Sequence, residues 1–246
     1  MIGRRGILGG VLGGLVAGCS KVAQSGPGAS LLGAVEGWNR GVQRALTKRT
    51  ALAREFSVSD ISPVFRGNGS INPGTPAYTA HAAGGFADWR LAVDGLVERP
   101  LALSLAELKA LRQRTQITRH DCVEGWSAIG EWTGVPLRDL LRAAGLRPEA
   151  KYLVFHCADL LGGVPYYESI DLIDALHPQT IVAHTLNGAP LPVKNGAPLR
   201  MRIERQLGYK HAKYVERIEA VASLAGIGGG KGGYWEDRGY QWYAGI

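Results

Sequence analysis

One stretch of the chain, TRHDCVEGWSAIGEWTGVPL from Thr118 to Leu137, combines a cysteine with polar and aromatic side chains. Cys122 follows Arg119 and His120, whose positive charge would lower the pKa of the thiol and favour the thiolate. A thiolate can act as a nucleophile, as a redox-sensing group or as a ligand to a thiophilic metal. A nucleophile needs a base, and His120 is a candidate for that role. The residues alone leave these three chemistries open at Cys122.

Cys122 is one of three cysteines in the chain, and the others are Cys19 and Cys157. This number and spacing make neither a disulfide framework nor a zinc-finger pattern. Cys157 lies in the apolar run KYLVFHCAD, where a cysteine is usually a small buried hydrophobic residue. Cys122 is therefore the cysteine whose neighbours suggest chemistry.

The chain is basic, with a formal net charge of +7 and a pI near 9.4. Such a balance suits an anionic ligand or an acidic membrane surface. The basic residues are scattered and form no recognition motif, so nucleic acid is not an expected partner.

Residues 1–18 resemble an export signal. Arg4 and Arg5 form a twin-arginine region, and the weakly apolar stretch that follows is too short, at ~1.5 Å per residue, to span a membrane comfortably. The sequence LVAGC resembles a lipobox, which predicts lipidation of Cys19 and a periplasmic, membrane-tethered protein. The alternatives are an uncleaved anchor or a signal cut elsewhere. Without residues 1–18, which hold two of the 28 bases and no acid, the net charge would be 26 − 21 = +5.

The rest of the chain divides into two parts. Residues 19–60 are predicted to form a tether and an amphipathic helix over 31–57, and residues 61–246 form one substantial domain. Short apolar runs separated by glycine and proline favour a mixed α and β domain over a helical bundle. The aromatic tail GYWEDRGYQWYAGI is expected to pack back on this domain.

Several elements of the domain have clear boundaries. Ser104 and Glu107 form a capping box for a short helix, and PLRDLLRAAG predicts a helix that stops at Gly145. ESIDLIDALHP predicts another helix, which Pro178 ends. Strands are predicted in DWRLAVDGLVERPLAL, in KYLVFHCAD, and within 180–203 and 213–224.

Two separated segments resemble the molybdopterin-binding domain of the sulfite oxidase family. HDCVEGWSAIGEWTGVPLRDLL carries the family's order of Cys, Val, Glu, a small residue, Trp and Ser, then Trp, Gly, Pro and Leu. NGAPLRMRIERQLGYKHAKYVERIE follows at nearly the family's spacing. The resemblance runs from about Ser62 onward and is closest to the branch of the periplasmic methionine sulfoxide reductase catalytic subunit. It implies an α+β fold of mixed sheets with flanking helices.

The resemblance assigns a role to each candidate site residue. Cys122 would be the thiolate ligand to a molybdenum that one pterin dithiolene also holds, and Glu124 and Trp126 would be further catalytic residues that tune the metal. Packing of the loop is the alternative role of these two. Arginine and lysine suit the terminal phosphate of the pterin. The other implied cofactor-binding residues are Arg66, Asn68, Cys157, Asn195, Arg200, His211, Ala212 and Lys213.

The resemblance also implies an activity, although this chain departs from the sulfite oxidase pattern after the cysteine. Sulfite oxidases follow the cysteine with a basic pair, whereas this chain has Trp126 and Ser127, which favour a less charged S- or N-oxide substrate such as protein methionine sulfoxide. No Cys-x-x-Cys-His motif is present, so electrons would come from a separate partner, in this branch a membrane haem protein. The alternatives are a sulfite-type oxidase with an altered pocket and a cofactor-free lipoprotein that binds a ligand.

Overall fold

The computed structural model describes residues 26–246, so the predicted signal and the lipidation of Cys19 lie outside the described residues. Helix α1 spans Gly26–Leu46 and belongs to a compact unit that ends at Lys48. It begins before the predicted residue 31 and ends well before 57. From residue 26 onward, no helix has the length and apolar character that a membrane crossing requires.

The second compact unit, Arg49–Ile246, includes residues that the sequence grouped with the tether and helix. Residues 49–57 are not helical, because their main chain pairs with the unit instead. Glu55 forms a β-bridge with Thr118, and the Phe56 amide donates to the Ile117 carbonyl at 2.9 Å. These bonds satisfy the backbone groups that a helix would otherwise satisfy internally.

A first sheet of five strands has the order β2-β1-β10-β5-β6. Only its β1–β10 pair is parallel, so the sheet is mixed as expected. The apolar runs predicted as strands supply β1 and β2, and KYLVFHCAD supplies most of β5. The bounds are Arg90–Gly95 for β1, Leu101–Ser104 for β2, Tyr152–Leu161 for β5, Val164–Asp171 for β6 and Val215–Val221 for β10.

A second sheet joins β3, β4, β7 and β8 in that order, with β9 also paired to β7. All its pairs are antiparallel. Asn187 and Gly188, both with positive φ, make the turn between β7 and β8, as the Asn-Gly pair predicts. The bounds are Arg114–Cys122 for β3, Trp126–Pro136 for β4, Ile181–Leu186 for β7, Ala189–Pro190 for β8 and Arg200–Arg202 for β9.

Four short helices complete the unit: α2 (Pro76–Ala83), α3 (Leu105–Ala110), α4 (Leu137–Ala144) and α5 (Leu172–Ala175). The capping box of Ser104 and Glu107 at the start of α3 is confirmed. Helix α4 is also confirmed, with its leucines buried and Gly145 ending it in the left-handed conformation. The prediction over ESIDLIDALHP is wrong, because most of its first half pairs with β5 as part of β6 and only four residues form α5.

Most of the apolar interior is one cluster that packs α4 against β1, β5 and β10. A smaller cluster around Trp132 and Phe65 supports the second sheet. The tail after Ile227 folds back, as predicted: the Leu207 amide donates to the Ala244 carbonyl at 2.8 Å. The end of β3, the β5–β6 hairpin and this tail meet around one cavity.

Candidate functional site

Cys122 lies at the end of strand β3, on the face of the strand that points toward the site. The side chains of β3 alternate, so that Thr118, His120 and Cys122 lie on the buried face. Arg119 and Asp121 lie on the other face, where they form an ion pair of 3.0 Å. Cys122 is the last residue of the strand and opposes Trp126 of β4. Both Cys122 and Cys157 are free thiols.

The turn after Cys122 brings Glu124 into contact with an N-terminal loop. Gly125 adopts positive φ, and its amide donates to the Cys122 carbonyl at 3.0 Å. One carboxylate oxygen of Glu124 accepts from the Gly69 amide at 3.2 Å, and the other accepts from Nε1 of Trp126 at 3.1 Å. Glu124 therefore ties the turn to the loop of residues 66–70.

Cys122 and Glu124 line a cavity of about 180 Å³. Three other predicted site residues, Asn68, His211 and Lys213, also line it. The remaining lining residues come from the N-terminal loop, the β3–β4 turn, the β5–β6 hairpin, the segment before β10 and the tail. They are Gly69, Ser70, Val123, Asp159, Leu161, Tyr166, Gly208, Tyr209, Trp235 and Tyr240.

Trp126 contributes packing rather than cavity wall. Its ring contacts Phe65 edge-on at 6.1 Å and lies 5.5 Å from the imidazole of His120, measured between ring centroids. The inference that Trp126 makes the pocket less polar therefore does not follow from its position, whereas Trp235 and the tyrosines of the wall do lie at the cavity. Its catalytic role stays a prediction.

Arg200, on β9, is fully buried beside the cavity. Its Nη1 donates to the Asn195 carbonyl at 3.1 Å, and its guanidinium lies 5.0 Å from the Trp132 ring. Nε and Nη2 are buried and have no partner within the described part of the chain. A Cβ at Gly196, where φ is +108°, would lie 3.1 Å from Cβ of Arg200 and 3.0 Å from Lys213. Glycine thus suits both the positive φ and the close packing against the aliphatic stems of Arg200 and Lys213.

Lys213 anchors the N-terminal loop to the site. Its ammonium donates to the carbonyls of Asn68 (2.6 Å), Ser70 and Lys194 (3.3 Å). Burial, and then the charge of Arg200, lower the pKa of Lys213 to about 7. An anion bound beside the two cations would reverse this effect.

Two neutral histidines lie next to each other, with ring centroids 5.1 Å apart. Burial lowers the pKa of both His120 and His211 well below the usual value, and nearby arginines add to it. Nδ1 of His120 accepts from Arg202 at 3.1 Å, and Nε2 of His211 donates to the Gln206 carbonyl at 3.1 Å. Nδ1 of His211 is therefore a buried acceptor at the cavity.

Burial raises the pKa of the Cys122 thiol, and the charges of Arg200 and Lys213 only partly oppose this. The expectation that Arg119 and His120 lower it is therefore wrong. Strand alternation turns Arg119 to the opposite face, and His120 carries no charge. The cations that act on the thiol come from distant parts of the sequence.

The other predicted cofactor residues lie around the cavity rather than in its wall. Cys157 is in the main core, and burial raises its pKa well above the usual value. The Ala212 carbonyl accepts from the Met201 amide at 2.7 Å, and the Arg66 carbonyl accepts from Nδ2 of Asn195 at 3.2 Å. The cofactor contacts assigned to these residues stay predictions.

Sequence reasoning missed several residues of the wall. Burial raises the pKa of Asp159 to about 6, and its Oδ1 has no partner among the described residues. Asp159 follows Cys157 by two positions in β5, so its alternation with the buried residues was a usable signal. Tyr209, Trp235 and Tyr240 gave no comparable signal, since aromatic residues outside regular strands and helices have no period. Tyr166 lies in β6, a strand that the sequence did not predict.

The model for the oxidoreductase molybdopterin binding domain matches residues 78–225. That match covers more than half of the chain. The chain belongs to this family. The cysteine turn, Arg200 and the segment 208–213 all lie within the matched region.

Relatives with assigned names agree with the family. The chain is 47% identical over 159 residues, 65% of its length and 56% of the relative's, to the "Putative protein-methionine-sulfoxide reductase subunit YedZ1" of Azospira oryzae. It is 40% identical over 147 residues, 55% of its length and 46% of the relative's, to the protein-methionine-sulfoxide reductase catalytic subunit MsrP of Xanthomonas axonopodis pv. citri. The chain thus spans about half the length of the curated relatives it matches.

A solved structure agrees with the fold. The sulfane dehydrogenase SoxCD of Paracoccus pantotrophus aligns with a TM-score of 0.51 and 26% identity, over 56% of this chain and 39% of that one. The α+β fold of the family is thereby confirmed for this chain, which carries an oxidoreductase molybdopterin-binding domain.

The residues present fit such a cofactor. Nε and Nη2 of Arg200 are unpaired buried donors, and Asn68 and Asp159 each keep an unpaired buried oxygen among the described atoms. A pterin with a terminal phosphate requires this mixture of cationic donors and polar acceptors. When bound, the cofactor supplies a metal that can exchange two electrons and transfer an oxygen atom. Arg200, Lys213, Asn68 and His211 are the residues that would hold it.

Proposed function

We propose that the protein is an exported, molybdenum-dependent oxidoreductase that reduces an S- or N-oxide, such as a methionine sulfoxide in a protein, with Cys122 as the thiolate ligand to the metal. The placement of Cys122 carries this proposal. It is a free thiol at the cavity wall, close enough to Arg200 and Lys213 for their charges to act on it. One pterin dithiolene would complete the sulfur ligands.

The reductive direction is supported by the polarity of the cavity. Among its described lining residues there is no arginine, and the ammonium of Lys213 is held by carbonyl oxygens. Once the cofactor's anion neutralises Arg200 and Lys213, Glu124 and Asp159 would leave the wall acidic, which disfavours a sulfite-like anion. A neutral S-oxide meets no such repulsion, and the relatives named as methionine sulfoxide reductases act on this kind of group.

The reaction consumes two electrons and two protons. The S–O bond of the oxide breaks, the sulfur keeps the electron pair supplied by reduction, and the oxygen leaves as water. A separate electron-transfer protein, a membrane haem protein in this proposal, would donate the electrons. Export by the twin-arginine route and lipidation of Cys19 would keep the enzyme beside such a partner, and fractionation of cells that carry Cys19→Ala tests the anchor.

Metal analysis with a matched pair of cysteine variants tests the proposal. Cys122 and Cys157 are free thiols of equal burial, 9% and 8% exposed. Protein from a molybdate-replete host with intact cofactor assembly should contain about one molybdenum per chain. Cys122→Ala should lose the metal and all activity, whereas Cys157→Ala should keep both, because the Cys157 thiol lies in the main core and a cofactor contact there could be made by the backbone.

The alternatives predict different results. Retention of molybdenum and turnover in Cys122→Ala would remove the ligand role of this thiol. Folded wild-type protein without molybdenum would favour the lipoprotein binding module. The oxidative alternative would be supported if the cofactor-loaded enzyme oxidises sulfite with a dye acceptor and reduces no oxide with reduced methyl viologen. The likeness to a sulfane dehydrogenase is the observation that favours this alternative.

A further inference from the structure

The C-terminal tail, residues 228–246, supplies part of the cavity wall although it follows the family-matched region. The match ends at residue 225, yet Trp235 and Tyr240 line the same cavity as Cys122. Trp235 is half-buried, and Tyr240 is 41% exposed, so both rings keep surface available to a ligand. The part of the wall that they form is therefore a property of this tail rather than of the matched domain.

Three rings of the wall contact one another. Trp235 stacks on Tyr240 with centroids 5.2 Å apart and an angle of 30° between the planes. Tyr240 meets Tyr209 edge-on at 5.3 Å. Stacked and edge-on contacts at these distances fix ring orientation. We call Tyr209, Trp235 and Tyr240 the aromatic wall.

A buried ionic cluster holds the aromatic wall against residues 208–213. Lys210, next to Tyr209, donates to Glu236 at 2.5 Å and to Glu168 of β6 at 2.5 Å. All three side chains are at most 1% exposed. Glu236 follows Trp235 directly, so the ammonium ties the tail, β6 and the segment 208–213 together.

Hydrogen bonds fix the tail on both sides of the wall. The Tyr234 amide donates to the Tyr167 carbonyl at 3.0 Å, and the Tyr209 hydroxyl donates to the Gln241 carbonyl at 2.6 Å. Nε1 of Trp242 donates to the Ser169 hydroxyl at 2.8 Å. The aromatic wall is thus pre-organised, which lowers the entropy cost of binding.

The cavity therefore has a polar part and an apolar part. Cys122, Asp159 and Lys213 provide the polar part, and the aromatic wall provides the apolar one. We propose that the aromatic wall binds the apolar substituent of a neutral S-oxide, so that Trp235 and Tyr240 determine which oxides the enzyme prefers. This inference rests on the proposed function and adds to it the residues that set specificity.

A pair of sulfoxides with the same S–O group tests the inference. Methyl phenyl sulfoxide carries a ring for the wall to bind, and dimethyl sulfoxide carries only methyl groups. With reduced methyl viologen as donor, Trp235→Ala should lower kcat/KM for the phenyl compound about tenfold, through KM, because one aromatic contact is lost. Dimethyl sulfoxide should change by less than about twofold, since it lacks the group that the ring contacts.

Conservative variants and molybdenum content separate this effect from misfolding. Trp235→Phe and Tyr240→Phe keep a ring and should keep the preference for the phenyl compound, and Tyr240→Ala should lose it as Trp235→Ala does. All four variants should retain the wild-type molybdenum content. Equal losses for both sulfoxides, or no loss in either alanine variant, would overturn the inference.

Calorimetric titration of the loaded protein with both sulfoxides keeps the two proposals apart. If the wild type reduces neither compound, the proposed function fails. Binding of methyl phenyl sulfoxide that weakens in Trp235→Ala would still support the aromatic wall as an apolar subsite. Binding that is unchanged in this variant would overturn it.

Discussion

Two buried arginines on β9 should respond in opposite ways to the same substitution. Arg200 and Arg202 are both completely buried and both lie near the Trp132 ring, at 5.0 and 4.4 Å. Arg202 is paired with Glu204 through bonds of 2.7 and 2.9 Å. Arg200 has one carbonyl partner and two unpaired nitrogens among the described atoms. In protein made without cofactor, we expect Arg200→Met to stabilise the fold and Arg202→Met to destabilise it.

The magnitude follows from the surroundings of each group. Burial, with the charge of Arg202, lowers the pKa of Arg200 to about 9. The fall in pKa from 12.5 to about 9 corresponds to ~5 kcal/mol against the charged form, because each tenfold change in proton affinity is about 1.4 kcal/mol. Methionine gives up the bond to Asn195, about 2 kcal/mol, and the contact with Trp132, about 1 kcal/mol. The expected net gain is about 2 kcal/mol. Arg202→Met leaves Glu204 buried without its ion pair, which costs about 3–5 kcal/mol.

Urea unfolding at pH 7, followed by tryptophan fluorescence, measures both variants without cofactor. In cofactor-loaded protein, Arg200→Met should instead lower the free energy of unfolding, because the interaction that Arg200 would make with the cofactor's anion is lost with the charge. Molybdenum analysis of Arg200→Met, expected to show little metal, completes the comparison. Destabilisation of cofactor-free Arg200→Met by more than about 1 kcal/mol would refute the reasoning, since the guanidinium would then be satisfied within the folded chain.

Two further substitutions test the site at other points. Burial raises the pKa of Asp159 to about 6, so the folded protein without cofactor binds more protons than the unfolded chain between about pH 4 and 6. The free energy of unfolding should therefore fall by about 2–3 kcal/mol as pH rises through this window. Urea unfolding at a series of pH values should show that Asp159→Asn removes this pH dependence. An unchanged pH dependence in the variant would assign it to other groups. At Gly208 a Cβ would lie 2.6 Å from the His120 ring, so Gly208→Ala should lower the unfolding free energy by about 1–3 kcal/mol. Gly226→Ala, with open space around it, should be nearly neutral in the same assay, and equal effects would contradict the packing argument.

The helix boundaries on either side of the cysteine segment could be predicted from sequence because their signals are local. The capping box of α3 and the glycine that ends α4 each act through their own backbone. The error at β6 has the opposite origin. ESIDLIDALHP spaces its apolar residues as a helix does, yet pairing with β5 decides its conformation. Local propensity cannot report a partner strand.

Residues of the site could be predicted only where they belong to a sequence motif that resembles the family. Arg200 and Lys213 could be assigned from the resemblance, whereas their approach across Gly196 depends on tertiary structure. The aromatic wall depends on where the tail docks. Its ionic cluster joins Lys210 to Glu168 and Glu236, which lie 42 and 26 residues away in sequence. A charge pattern in sequence does not show which of its members are buried together.

The environment of Cys122 links the ionisation of the thiol to cofactor binding. A metal ligand must be a thiolate, yet burial raises the pKa of this thiol in the protein alone. Arg200 and Lys213 reduce that penalty without removing it, so the remaining free energy must come from a cation bound at the sulfur. On the proposed function, such a thiol would stay protonated and unreactive until the metal binds. The same two cations that favour ionisation of Cys122 would then also bind the cofactor's anion, so one cluster of charge would serve both the sulfur and the phosphate.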